Sequence, residues 1–178
     1  MKNVKFLLSA ALVFLASAAL AQDFSAPQYA KWGATPEERE QNILNSNFLK
    51  ESCDNRDYDA AAHYLKGLID KIPDAAESIY QRGAVVYKNK INRAKSVAEK
   101  NMFIDSLMLM YDMRAQYFGD NVKPGKTAFI LDQKAREFLR YKPNDRKGIR
   151  EAYETGRGAL TTRSVTHIEN VTARQSLP

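Results

Sequence analysis

Few residues of the chain have the types and spacing that catalysis or metal binding requires. The two histidines, His63 and His167, stand far apart, and neither has a second ligand or a carboxylate at the spacing of a metal site or an acid–base pair. Cys53 is the single cysteine, so it cannot form a disulfide within the chain. Because no histidine stands beside it to activate the thiol, we interpret Cys53 as a small buried hydrophobic residue and not as a nucleophile.

The sequence Gly125-Lys126-Thr127 matches the end of a phosphate-binding loop. That motif requires four residues between its two glycines and a strand before the loop. Five residues separate Gly119 from Gly125 here, and a helix is predicted before them. We therefore predict that the protein is not an enzyme and that it takes no cofactor and no metal ion.

The first 21 residues have the pattern of a secretory signal peptide. Lys2 and Lys5 precede an apolar run over residues 6–20, and Ala19-Leu20-Ala21 offers small residues at a cleavage point. A helix over that run would be about 22 Å long, shorter than the ~30 Å hydrocarbon core of a bilayer. Gln22, and not cysteine, follows the cut, so no lipid anchor is expected. We expect residues 22–178 to be a soluble periplasmic or secreted protein without an integral membrane segment.

The positive charge of the chain is concentrated towards its C-terminal end. Residues 22–120 contain 13 basic and 15 acidic side chains, whereas residues 121–178 contain 12 basic and six acidic ones. A basic C-terminal part can attract an acidic partner or an anionic membrane surface, or it can be a solvated helix face without a partner. Both interpretations stay open, but nucleic acid is not an expected partner of an exported protein.

Helix signals recur in the sequence and strand signals do not. Thr35 and Glu38 form a capping box around Pro36, which predicts a helix beginning at Pro36. Asp57 is predicted to cap a second helix, and Asp74 is predicted to start a third.

Six helices are predicted in this way. Their predicted extents are from Pro36 to the polar turn at 54–57, from 57 to 72, from 74 to about 90, from 96 to 118, from 127 to 141 and from 145 to about 155. Residues 22–35 are predicted to be extended, and residues 159–178 are predicted to be a flexible tail.

The helix predicted over residues 96–118 has an apolar band too wide for a helix that is covered on one side only. Four methionines contribute to this helix: Met102, Met108, Met110 and Met113. Methionine is an adaptable side chain, so these residues can be core filler or can line a groove that accepts several partners.

Residues 42–75 resemble one unit of the tetratricopeptide repeat (TPR) family. The resemblance is carried by Asp57-Tyr58-Asp59-Ala60-Ala61, Tyr64-Leu65, Leu68 and the terminating Pro73-Asp74, with Ala61 where two helices cross closely in that family. Counting forward from Leu49 by the family's period of about 34 residues reaches Gly83, where the family has a glycine.

The resemblance implies an all-α fold in which antiparallel helix pairs stack as a short right-handed superhelix. The implied domain covers residues 36–158. Its units would be 42–75, 76–118 with an extended helix, and a divergent third unit at 124–158.

In the TPR family the first helix of each pair lines a concave face that holds an extended peptide or a helix of a partner. Carried over by position, this face would comprise Ser46, Lys50, Cys53, Asp54, Tyr80, Ala84, Tyr87 and Lys88. Tyrosines beside lysines can bury apolar side chains and meet carboxylates. Each of these residues can equally be an ordinary solvated or inter-helix residue.

The resemblance leads us to expect an exported adaptor or scaffold that binds other proteins of the cell envelope. The alternative is a structural module without a separate ligand. It would associate with itself through the apolar band of residues 102–118.

Overall fold

The computed structural model describes residues 22–154, and for residues 152–154 it describes the backbone alone. The predicted signal peptide at 1–21, the last residues of the predicted domain at 155–158 and the predicted tail at 159–178 lie outside this range. Between residues 22 and 154 the chain forms helices and no strand, which confirms the all-α prediction. A 3-10 helix, Pro27–Trp32, precedes six α-helices: α1 Pro36–Asp54, α2 Tyr58–Lys71, α3 Glu77–Arg93, α4 Val97–Phe118, α5 Lys126–Tyr141 and α6 Arg146–Glu154.

The side chain of Arg39 ties the N-terminal segment to α1. Its Nε donates to the carbonyl of Gly33 at 2.9 Å, and its two terminal nitrogens donate to three further carbonyls of the segment. Asn42, which is 5% exposed, donates its side-chain amide to the carbonyl of Trp32 at 2.8 Å. The prediction that residues 22–35 are extended is therefore wrong. Residues 27–32 form a 3-10 helix, and these donors bind carbonyl groups of the folded segment.

The first two α-helices begin where their caps predict. The hydroxyl of Thr35 accepts from the backbone N–H of Glu38 at 3.2 Å, and the Glu38 carboxylate accepts from the backbone N–H of Thr35 at 3.3 Å. This reciprocal capping box is worth about 1 kcal/mol. Asp57 caps α2 by accepting from the backbone N–H of Ala60 at 3.1 Å.

The start of α3 differs from the prediction. The helix begins at Glu77 after Ala76, which makes no side-chain capping bond, so Asp74 is not its cap. The carboxylate of Glu77 is bound instead by Arg114 and Lys126, which come from α4 and α5. The helix also continues to Arg93, past the predicted end near residue 90, because Ile91 is buried in the core.

Ala61 and Gly83, two small residues of the TPR resemblance, both lie in the packed interior. Ala61 is fully buried on α2. A Cβ on Gly83 would lie 2.6 Å from the Sδ of Met110 and 3.1 Å from a methyl group of Leu65. Gly83 therefore allows α3 to approach both α2 and α4 more closely than any larger residue would.

Helix α4 is covered on more than one side, as its wide apolar band predicts. It packs on α3 and on α5. Its buried side chains include Met108 and Met110, whereas Met102 and Leu109 are more than half exposed. Two of the four methionines are thus part of the core.

The interior is divided into two core clusters. The first joins α1, α2, α3 and α4 and contains Leu65, Tyr80 and Met110. The second joins α3, α4, α5 and α6 and contains Leu107, Ile130 and Ile149. Of the helices described between residues 22 and 154, none combines the length and the apolar character that crossing a bilayer requires.

Candidate functional site

Part of the predicted partner-binding face is buried. Ser46, Tyr80 and Ala84 are 8%, 1% and 9% exposed, so their side chains pack inside the protein and offer no surface to a partner. Tyr87 is partly buried and packs against both core clusters. The prediction that these residues lie on an open face is therefore wrong, because the helices that cover them come from distant parts of the sequence.

Tyr80 has a structural role. Its hydroxyl donates to the carbonyl of Pro73 at 2.6 Å, and its ring stacks on Tyr117 with a centroid distance of 6.3 Å and an interplanar angle of 7°. Burial, helped by the neighbouring Tyr117 and Asp74, raises the pKa of Tyr80 far above its ordinary value. The tyrosine therefore stays protonated and joins the turn before α3 to the end of α4.

Lys50 and Asp54 lie on the surface of α1, as the sequence predicts. Their ammonium and carboxylate groups are 2.7 Å apart, and both side chains are about 60% exposed (59% and 61%). Such a solvated pair one helical turn apart contributes only about 0.3–0.5 kcal/mol to stability. It is thus available to a partner.

Lys88 connects three helices. Its ammonium on α3 forms an ion pair with Glu137 on α5 and lies beside the hydroxyl of Tyr111 on α4. Burial alone would lower the pKa of Lys88, but the bound Glu137 carboxylate and the neighbouring Tyr111 hydroxyl raise it. Burial also raises the pKa of Tyr111. One oxygen of Glu137 is buried and has no hydrogen-bond donor among residues 22–154; Arg140 forms an ion pair with it at 3.6 Å.

Glu77 forms a second connection between the same three helices. Its carboxylate accepts from Arg114 on α4 at 2.9 Å and from Lys126 on α5 at 2.7 Å. Arg114 also donates to Gln133 on α5 at 2.9 Å. Burial alone would raise the pKa of Glu77, but the bonds from Lys126 and Arg114 outweigh it and hold the pKa below the ordinary value.

These ion pairs connect α3 with α5, and each of the two helices exposes one large apolar side chain. Val85 on α3 is 44% exposed and lies one turn from Lys88; Phe129 on α5 is 55% exposed and lies one turn from Lys126. We call the surface formed by Glu77, Val85, Lys88, Lys126, Phe129 and Glu137 the α3–α5 surface.

Val85 and Phe129 are absent from the face expected by position. The helical period of the sequence could have identified both side chains as exposed. The apolar stripe of α5 runs through Leu131, Ala135 and Phe138, and Phe129 falls on the opposite side of that helix at about 100° per residue. Large apolar residues opposite a core stripe are the ones that stay in contact with solvent.

The residues considered for chemistry have ordinary structural roles. Cys53 is half-buried against the first core cluster, and burial raises the pKa of its thiol. His63 is exposed on α2 and packs edge-on against Tyr64. Gly125 has a left-handed φ of 79° and starts α5, and the adjacent Lys126 is bound to Glu77. In the described part of the chain, no three potential metal-ligating side chains come together.

Comparison of the chain with protein-family models, with curated proteins and with solved structures found no match.

Proposed function

We propose that this protein is an exported, TPR-like adaptor that binds another protein of the cell envelope through the α3–α5 surface and the exposed part of α1. The proposal combines the signal-peptide pattern with consecutive helix pairs, α1–α2, α3–α4 and α5–α6. The first helices of neighbouring pairs also meet: α1 contacts α3, and α3 is joined to α5 by ion pairs. A right-handed superhelical stack is the arrangement that we propose for these pairs.

The observation that carries the proposal is the exposure of Val85 and Phe129 on two helices that are held together by charged side chains. Large apolar side chains within a charged surface can bury area on a partner, while the charged groups set its orientation. Lys88 is 32% exposed at its side chain, so it can also meet a carboxylate of the partner at the edge of this surface.

Site-specific cross-linking tests the proposal. A photoreactive amino acid at position 85 or 129 is expected to capture the same envelope protein from the native compartment. The charge-introducing double variant Val85→Glu/Phe129→Glu should lower recovery of that protein by at least about tenfold.

The matched control is Val97→Glu/Val122→Glu, which places the same charges at side chains that are 77% and 57% exposed elsewhere. Recovery should be unchanged in this control. Equal recovery with the Val85/Phe129 variant and with the wild type would remove the α3–α5 surface from the proposal.

A second candidate function is self-association through α4. Met102 and Leu109 are 54% and 51% exposed and lie seven residues apart, on one side of the helix. Sedimentation velocity over a range of concentrations separates the two candidates. A monomer at every concentration would exclude self-association, whereas a dimer lost in Met102→Glu/Leu109→Glu would favour it.

A further inference from the structure

A groove of about 490 Å³ lies between α4, α5 and α6. That volume falls in the range of about 300–1,000 Å³ that binding pockets occupy. Its floor is apolar: Met108 and Phe138 are each 8% exposed, and Leu109 lies at its edge and is 51% exposed. No residue of the α3–α5 surface lines this groove, so it is a separate feature of the molecule.

Gly148 brings α6 onto the floor of the groove. A Cβ at this position would lie 2.5 Å from the ring of Phe138 and 2.7 Å from the carboxylate of Asp145. Helix α6 therefore lies directly against Phe138 and forms one wall, and α4 forms the other. The floor stays apolar and narrow between two helices that each carry carboxylates.

The lining of the groove contains four carboxylates and two lysines. Lys134, 5% exposed, donates to the carboxylate of Asp112 at 2.5 Å, so these two groups neutralise each other. Lys142 lies 5.8 Å from the centre of the Phe138 ring. The remaining carboxylates are exposed and stand on both walls: Asp105 on α4, and Asp145 and Glu151 beside or on α6.

Two of these remaining carboxylates bind groups of the chain itself and have exposed side chains. Asp145 accepts from the backbone N–H of Gly148 at 2.8 Å, which leaves its charge in place. The ion pair of Glu151 with Lys147 is long, at 3.6 Å, and both side chains are more than 60% exposed. A solvated ion pair of this kind contributes at most about 1 kcal/mol to stability.

The net charge of the groove lining is negative, whereas that of residues 121–178 is positive. Residues 121–178 contain twice as many basic as acidic side chains, 12 against six, yet this groove presents an excess of carboxylates. A segment in which lysine or arginine flanks an apolar side chain matches both the walls and the floor.

We infer that the groove between α4, α5 and α6 is a docking site for a basic segment of a partner protein. An apolar side chain of the segment covers Met108 and Phe138. Its cationic side chains pair with Asp105 on one wall and with Glu151 on the other. Met108 adapts to the shape of the apolar side chain, because its thioether is flexible.

Fluorescence anisotropy with labelled peptides tests this site. The probe is a short peptide with one leucine flanked on each side by two arginines. It should bind the wild-type chain in low salt and be released as salt is raised. Two control peptides, with glutamate for arginine or glycine for leucine, should bind at least about tenfold more weakly. The first lacks the cationic side chains, and the second lacks the apolar side chain.

A charge reversal gives the decisive comparison. Asp105→Lys/Glu151→Lys should lose the arginine peptide and gain the glutamate peptide, a change of at least about tenfold in each direction. Glu40→Lys/Asp74→Lys changes the net charge equally at exposed residues elsewhere and should keep the wild-type preference. Circular dichroism of all variants checks that the helices are intact.

Three results would overturn the inference. The first is that the wild type does not bind the arginine peptide. The second is that both charge-reversal variants lose the peptide equally, because binding would then depend on the net charge of the protein and not on the groove. A dimer in sedimentation that Asp105→Lys/Glu151→Lys abolishes would make a second copy the occupant. The variant Val85→Glu/Phe129→Glu should retain peptide binding, so failure of the proposed adaptor surface and failure of this groove are distinguishable.

Discussion

The backbone of Gly83 lies against the side chain of Met110, so closely that a Cβ at position 83 would be 2.6 Å from the sulfur. Met110 is 3% exposed and therefore has little space into which it can move. This contact places the crossing of α3 and α4 next to α2, where Leu65 is the other neighbour of Gly83. Three helices thus meet around one residue without a side chain.

Replacement of Gly83 by alanine should be less favourable than the same replacement at Gly67. Nothing lies within 4 Å of a Cβ at Gly67, so Gly67→Ala should gain up to about 1 kcal/mol of helix propensity. Gly83→Ala gains the same propensity but overpacks Met110 and Leu65, at a cost of about 1–3 kcal/mol. Urea denaturation should show Gly83→Ala to be less stable than Gly67→Ala by about 2 kcal/mol. Equal stabilities would mean that the crossing of the helices is looser than described.

Tyr80 should behave as a core residue and not as part of a binding surface. Tyr80→Phe removes the hydrogen bond to Pro73 and should cost about 1 kcal/mol, whereas Tyr80→Ala should cost about 3–5 kcal/mol. Lys50→Ala removes only a solvated ion pair and should change the unfolding free energy by less than about 0.5 kcal/mol. Thermal and urea unfolding measure all three. A Tyr80→Ala variant as stable as Lys50→Ala would contradict the burial of this ring.

Glu77 should make part of the stability depend on acidic pH. Its folded pKa lies below the ordinary value of 4.5, so its stabilisation is fully present above about pH 4.5 and is lost as pH falls through the folded pKa. At pH 7, Glu77→Gln should cost roughly 1–2 kcal/mol, because it weakens the bonds from Arg114 and Lys126. The difference between wild type and variant should shrink below pH 4.5. Urea titrations at a series of pH values test this, with Glu40→Gln as a control that changes little at any pH. A difference that stays constant into acid would remove Glu77 as the titrating group.

Arg39 should determine whether the N-terminal segment stays on α1. The chain has one tryptophan, Trp32, whose carbonyl is bound by Asn42 and whose ring packs against the first core cluster. Arg39→Ala removes the donors to four backbone carbonyls, so the emission of Trp32 should shift to longer wavelength as water reaches the ring. Lys31→Ala, in the same segment, removes an exposed cation and should leave the emission unchanged. The same emission maximum in both variants would show that Arg39 is not the tether.

The caps that were predicted from the sequence depend on residues within one turn of each other. Thr35 with Glu38 and Asp57 with Ala60 are local pairs, and both are formed. The predicted cap at Asp74 failed because of partners from elsewhere in the chain. The carboxylate of Glu77 is taken by residues 37 and 49 positions farther along, and no local pattern contains that information.

The predicted binding face failed in part for the same physical reason. Position within a repeat indicates which side of a helix a residue occupies, but burial depends on which distant side chain covers it. Tyr117, near the C-terminal end of the long helix α4, stacks on Tyr80 and covers it. The placement of Lys134 in the interior is equally hidden in the sequence, because a buried lysine is allowed only by its pairing with Asp112.

Helix α6 is the shortest α-helix between residues 22 and 154, and it packs on α5. It has nine residues, fewer than the ~12–15 that an isolated helix needs, and Ile149 is the one buried side chain among those described on it. Its local opening should therefore require less free energy than unfolding of the whole protein, and its amides should exchange with deuterium before those of α3. Because α6 is one wall of the groove, a bound segment there would stabilise α6 against local opening. Slower deuterium exchange of the α6 amides would therefore report binding.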